Sequence, residues 1–271
     1  MEFINAVFTN PLILRGAVVG ILVSLCAGLL GVCLVLKRYS MIGDGLSHVA
    51  FGALSVAFAL NLAPLFVTIP VVMLTAFFLL RASESGKIKG DSAIALIAST
   101  SLALGVAVSG IFGINIDVNS YMFGSILLVG SDELVFCIPL AIAVIVCLVF
   151  CYHDVFSVTF DEDFARASGT RVGVYKTVLS LLTSLVVVLG MRLMGTLLIS
   201  SLVIFPSLTA MRVFKSFKGV VLSSALISVV SFVMGLALSY FSGMATGASI
   251  VLTNAFLFAL FFVIGKATKR S

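Results

Sequence analysis

Leu12-Ile-Leu-Arg-Gly-Ala-Val-Val-Gly-Ile-Leu-Val-Ser-Leu-Cys-Ala-Gly-Leu-Leu-Gly-Val-Cys-Leu-Val-Leu36 runs for 25 residues with Arg15 as its single charge. A helix needs about 20 apolar residues to cross the hydrocarbon core of a bilayer, so this stretch reads as a membrane span. Lys37 and Arg38 follow at once and end it. The residues before it, MEFINAVFTNP, carry Glu2 and lack a basic region, and the run is too long for a signal-peptide core. The first span is therefore expected to be retained.

The same composition extends over the whole chain of 271 residues, of which 61% are hydrophobic and 10% charged, with a mean hydropathy of +1.29. A soluble domain is roughly half apolar and a quarter charged, so an ordinary soluble fold is excluded. Apolar stretches bounded by charge or turn residues fall at 12–36, 46–60, 64–80, 92–112, 133–151, 173–190, 194–211, 220–240 and 247–265. The expected fold is all-α, a polytopic helical bundle of about nine spans (eight to nine), forming one transmembrane domain over 1–271. Nine spans use roughly 180 residues, and no soluble catalytic domain fits in the remainder.

If the spans alternate in direction, fourteen of the sixteen basic residues fall on one side, leaving Arg15 and Arg192 opposite. The positive-inside rule then puts the N-terminus outside and the C-terminus in the cytoplasm. Tyr39, Tyr121, Tyr152, Tyr175 and Tyr240 all lie at expected span ends, where an amphipathic ring favours the interface. The net charge of +5 is thus a topology signal, and no nucleic-acid partner is expected. All five cysteines lie within expected spans without a CxxC spacing, so a disulfide framework is not expected. Cys147, Cys151 and His153 read either as a soft-metal cluster or as small packing residues with an interfacial histidine.

Glycines within spans, such as Gly16 and Gly20, with Ala27 and Gly31 further along, mark faces for close helix packing. Pro206 falls in the middle of the seventh span, where its missing N–H predicts a kink that either lines a pathway or is merely tolerated.

Ionisable groups are costly at membrane depth and point to function by default. Asp44 and His48 are four apart, on one helix face and one turn apart. Carboxylate and imidazole suit a divalent transition metal such as zinc or manganese. Two ligands bind weakly enough for an ion to leave again, and a second copy across a two-fold axis would complete four. The alternative is that Asp44 caps the helix N-terminus with His48 paired to it. Asp132 and Glu133, and likewise Asp91, open spans on the same capping logic. The longest polar connection, 152–172, holds an amphipathic pattern over 157–169, with acidic residues early, Phe160, Phe164 and Ala167 at helical spacing and Gly169 as a stop. It reads as a docking element or as a helix lying on the membrane surface. The GxxxxGK[ST] and GxGxxG nucleotide motifs are absent, as are HExxH and GxSxG, so any ATP is hydrolysed by another chain.

Met41-Ile-Gly-Asp-Gly-Leu-Ser-His-Val-Ala50, Phe160-Asp-Glu-Asp-Phe-Ala-Arg-Ala-Ser-Gly169 and Met194-Gly-Thr-Leu-Leu-Ile-Ser-Ser-Leu-Val-Ile-Phe-Pro-Ser-Leu-Thr-Ala210 resemble, in order, the ZnuB-like membrane permeases of bacterial zinc and manganese ABC importers. Tyr121-Met-Phe-Gly-Ser125 and Gly247-Ala-Ser-Ile-Val-Leu252 extend the resemblance over nearly the whole chain. The resemblance implies a multi-pass permease of the bacterial inner or plasma membrane, working as a homodimer with a cytoplasmic ATP-binding subunit and an extracellular metal-binding protein. It implies no permanently bound cofactor and no enzymatic step in this chain; the cargo is zinc, with manganese or iron as the other candidates. Asp44 and His48 would be the metal-contacting pair. Residues 155–170, with Phe160, Asp161, Phe164, Ala165 and Gly169, would form the coupling helix that seats in the ATPase. Some zinc-type relatives carry a histidine in the fourth span where this chain reads Ile97-Ala-Ser-Thr100, which loosens the assignment to zinc. A secondary transporter driven by an ion gradient is the alternative use of the same Asp and His.

Overall fold

In a computed structural model, residues 9–82, 90–114 and 131–267 are described, and all their regular structure is helical. The helices are α1 (Pro11–Leu36), α2 (Ile42–Ala59), α3 (Pro64–Ala82), α4 (Gly90–Ile111), α5 (Ser131–Phe150), α6 (Tyr152–Phe160), α7 (Glu162–Ala167), α8 (Val172–Met194), α9 (Thr196–Val213), α10 (Phe217–Ser242) and α11 (Thr246–Ala267). Each of the nine expected apolar stretches coincides with one of these helices. Among the described residues, seven helices are long and apolar enough to cross a membrane, or up to eight if α5 and α6, bent by 79° at their junction, count as one broken span. α3 itself is 19 residues long, about 28 Å at 1.5 Å per residue. The Tyr121 to Ser125 segment lies outside the described residues.

The first stretch of sequence forms the centre of the bundle. Pro11 sits at the start of α1 and the Asn10 side chain accepts from Leu12 N–H, so the first turn is capped. From Val19 to Leu34 most of α1 is buried, and α8, α9, α10 and α5 pack around it. Close approach depends on its small residues. A Cβ on Gly28 would lie 2.8 Å from Ser228 Cβ and 2.9 Å from the Ser224 carbonyl. Buried serines close the same seam: Ser228 Oγ donates to the Ser24 carbonyl and Ser224 Oγ to the Gly28 carbonyl, each at 2.7 Å, while Ser207 Oγ lies 3.2 Å from Ser224 Oγ. Such bonds hold helices together where neighbouring lipid offers no hydrophobic contrast.

The turn between α8 and α9 is also inside the bundle, with Met191, Met194, Thr196, Leu198 and Ile199 all buried. Gly195 makes it possible at φ 88° and ψ 162°, a region essentially restricted to glycine. α9 then continues through the buried Pro206 to Val213 without a break in its helical assignment.

Candidate metal site and surface platform

α2 starts at Ile42, four residues before the expected boundary, because its first turn is buried rather than solvated. Ile42, Gly43, Gly45, Leu46 and Ser47 are all buried. At Gly43 this turn faces α9, where an added Cβ would stand in ordinary contact, 3.6 Å from Ser200 Cα. Gly45 is placed directly against Ile94 of α4, and Gly52 against Ser101. These two pairings make α2 and α4 parallel at a constant offset, so Ile97 lies at the height of His48.

The N-cap of α2 is Met41, with no side-chain cap bond, and Asp44 sits within the first turn. The capping alternative for Asp44 is therefore not what the structure adopts. Ser47 Oγ donates to the Asp44 carbonyl at 2.6 Å, leaving the carboxylate free of that bond. Asp44 Oδ2 and His48 Nε2 are 3.7 Å apart, with 37% and 30% of the two side chains exposed on a helix face whose neighbours are buried. That separation is too long for a good hydrogen bond. It matches two donors sharing a tetrahedral ion, since ligands at about 2.1 Å lie about 3.4 Å apart. Among the described residues no three His, Cys, Asp or Glu side chains converge on one point, so this chain alone offers two protein ligands there.

The other polar candidates divide differently. Asp154 accepts from Tyr175 Oη at 2.6 Å and from Thr170 Oγ1 at 3.4 Å, tying α6 to α8. Cys147, Cys151 and His153 form no metal-binding group among the described residues, and all five cysteines are free thiols. The side chains of Asp91, Asp132 and Glu133 lie outside the described residues, although helices open beside them.

The expected amphipathic helix of the long connection is two helices rather than one. Asp161 breaks it: its carboxylate accepts from the N–H groups of Asp163 and Phe164 at 3.0 Å each, capping α7 and ending α6. Ala165 is fully buried with Val158 and Val172 in a small core beneath α7. Phe160 and Phe164 point outward, 58% and 65% exposed. Gly169, at φ 89°, turns the chain toward α8. Behind Phe160, the rings of Phe156, Tyr152 and Phe217 pack together at centroid distances of 4.8–6.5 Å.

Sequence reading missed the group that anchors this segment. Glu162 Oε1 is 2.8 Å from Lys37 Nζ at the end of α1, and Oε2 pairs with Lys176 Nζ of α8. Burial pushes the Lys37 ammonium below its usual range, against the opposing pull of Glu162. Burial alone would raise Glu162, but the bonds from Lys176 and Lys37 outweigh it and hold the carboxyl below its ordinary value. The exposed rings are thus carried on a platform fixed by charge to two spans.

The sequence profile described as the ABC 3 transport family matches residues 9–265. The chain belongs to the ABC 3 transport family. Among relatives of this ABC 3 chain, the high-affinity zinc uptake system membrane protein ZnuB of Haemophilus influenzae is 29% identical over 242 residues, covering 89% of this chain and 93% of that one. The manganese import system permease protein ScaB of Streptococcus gordonii is 29% identical over 263 residues, covering 97% and 95%. In three dimensions the ABC 3 chain is similar to the solved structure of PsaBC from Streptococcus pneumoniae in complex with Fab, with a TM-score of 0.84, 30% identity and coverage of 96% and 94%.

Proposed function

We propose that this chain is the membrane-spanning permease subunit of an ATP-binding cassette importer that brings a divalent transition metal, zinc or manganese, into the bacterial cytoplasm. The observation that carries this reading is the Asp44–His48 pair, open on one face of a buried helix in a chain matched to the family over 9–265. The relatives named for zinc and for manganese are equally similar at 29%, so both ions are retained as cargo. Borderline nitrogen and oxygen donors accommodate either.

In this reading the chain crosses the membrane nine times, counting α3 and α5, with its N-terminus outside and its basic end in the cytoplasm. Two copies face each other, so that each Asp44–His48 pair supplies half of a four-ligand site. An extracellular metal-binding protein delivers the ion. A cytoplasmic ATP-binding subunit seats on residues 155–170, where Phe160 and Phe164 offer exposed rings, Asp161 sets the start of α7, and Ala165 and Gly169 shape the segment from beneath and behind. ATP-driven closure of the partner moves this platform. Glu162 passes the motion to α1 and α8 through its lysines, and the spans around Asp44, His48 and Pro206 exchange outward for inward exposure. No covalent step occurs in this chain. Two ligands from each copy allow entry and release, as conduction requires.

Asp44→Ala and His48→Ala should each abolish uptake of radioactive zinc and manganese by cells depending on this importer, while the variants still copurify with the ATPase. Normal uptake by both variants would remove the site assignment.

A further inference from the structure

We propose that the groove between α1, α5 and α10 binds an anionic phospholipid from the leaflet at the basic end of the bundle. α5 and α10 both pack against α1, and the space left between them has a volume of about 620 Å³, within the roughly 300–1,000 Å³ of small-molecule sites. Leu25 and Leu29 of α1 form its floor and Val221 of α10 one wall. Val149 and Leu222 at its two edges are well exposed, so the groove opens sideways toward lipid.

Its polar groups are gathered at one end. There the 79° bend between α5 and α6 brings Tyr152 and His153 to the first turn of α10, opposite Lys218. Lys218 is exposed and has no ion-pair partner among the described residues. The groove is therefore amphiphilic along its length, apolar for most of it and cationic at the tip, with a phenol and an imidazole beside the charge. Basic pockets between membrane helices take anionic head groups, and a lysine stem follows apolar surface while its ammonium reaches the head-group level. An acyl chain along Leu25 and Leu29 with a phosphodiester at Lys218 satisfies both halves. Tyr152, which lines the groove, also packs its ring against Phe217, part of the cluster behind Phe160.

The chain contains no tryptophan, so a single introduced one reports locally. Leu222→Trp in the full-length chain, reconstituted in phosphatidylcholine, should be quenched by dibrominated phosphatidylglycerol about fivefold more effectively than by dibrominated phosphatidylcholine. Lys218→Ala in the same background should remove the preference. Leu238→Trp, exposed toward the other end of α10, should show none. As a second measurement, native mass spectrometry of the unsubstituted chain should retain one phosphatidylglycerol that Lys218→Ala loses. Equal quenching by the two lipids at Leu222→Trp, or a preference that survives Lys218→Ala, would overturn the proposal. Quenching by neither lipid would overturn it as well and assign the groove to a protein surface, a second copy among them.

Discussion

Replacing Glu162 by Gln keeps the shape of the side chain and removes the charge that Lys37 and Lys176 share. The two lysines are only 11% and 13% exposed, whereas Glu162 is one-third exposed. Breaking a buried pair by deleting one partner costs about 3–5 kcal/mol, and a fully exposed pair is worth at most about 1 kcal/mol. The intermediate burial of this triad places Glu162→Gln at about 2 kcal/mol, felt where α7 meets α1 and α8. If the ATPase must find the platform in its anchored position, the same energy weakens binding of the partner by up to about thirtyfold. The assay is titration of the purified ATPase onto the detergent-solubilised permease, with thermal unfolding followed in parallel. Lys37→Met added to Glu162→Gln removes one of the stranded cations and should recover part of the lost stability. The pH dependence has a defined sign. Because the folded-state pKa of Glu162 is lowered, its contribution is fully present above the unfolded value of about 4.3 and is lost as pH falls through the folded value. Glu162→Gln should abolish that acid-side loss. A Glu162→Gln variant that unfolds and binds ATPase like the unsubstituted chain would refute the reasoning.

Phe164→Asp should eliminate ATPase copurification without lowering the melting temperature, because the ring is 65% exposed and lies outside the buried core; pull-down with the partner checks it. Gly31→Ala would drive a methyl into the Val203 carbonyl of α9 and should cost about 1–3 kcal/mol by overpacking, measured by thermal shift. Gly110→Ala is its control: nothing lies within 4 Å of the added Cβ, and replacing a glycine in the last turn of α4 should leave stability unchanged or raise it by less than about 1 kcal/mol.

The bundle was readable because a bilayer imposes its solvent on every span: a stretch such as Leu12 to Leu36 has no other stable place. Asp44 and His48 were readable because i,i+4 spacing fixes a shared face whatever surrounds the helix. Their depth was not, since the first turn of α2 is buried against distant parts of the chain, with Gly45 placed directly on Ile94. The division between α6 and α7 escaped the amphipathic pattern because Phe160 and Phe164 keep helical spacing across it. The acidic run Asp161-Glu-Asp163 held the local signal, an aspartate able to bond the N–H groups two and three residues on. The Lys37–Glu162 pair spans 125 residues, and no periodicity in one sequence connects groups so far apart.

The central claim, a metal permease driven by a separate ATPase, is tested most directly by uptake into proteoliposomes holding this chain and its partner ATPase. Zinc, manganese and ferrous iron would be supplied in parallel on the metal-binding protein, with ATP enclosed or withheld, and with or without an imposed proton or sodium gradient. The account predicts accumulation of zinc or manganese that requires ATP and vanishes with Asp44→Ala. Uptake that proceeds without ATP when a proton or sodium gradient is imposed would contradict it.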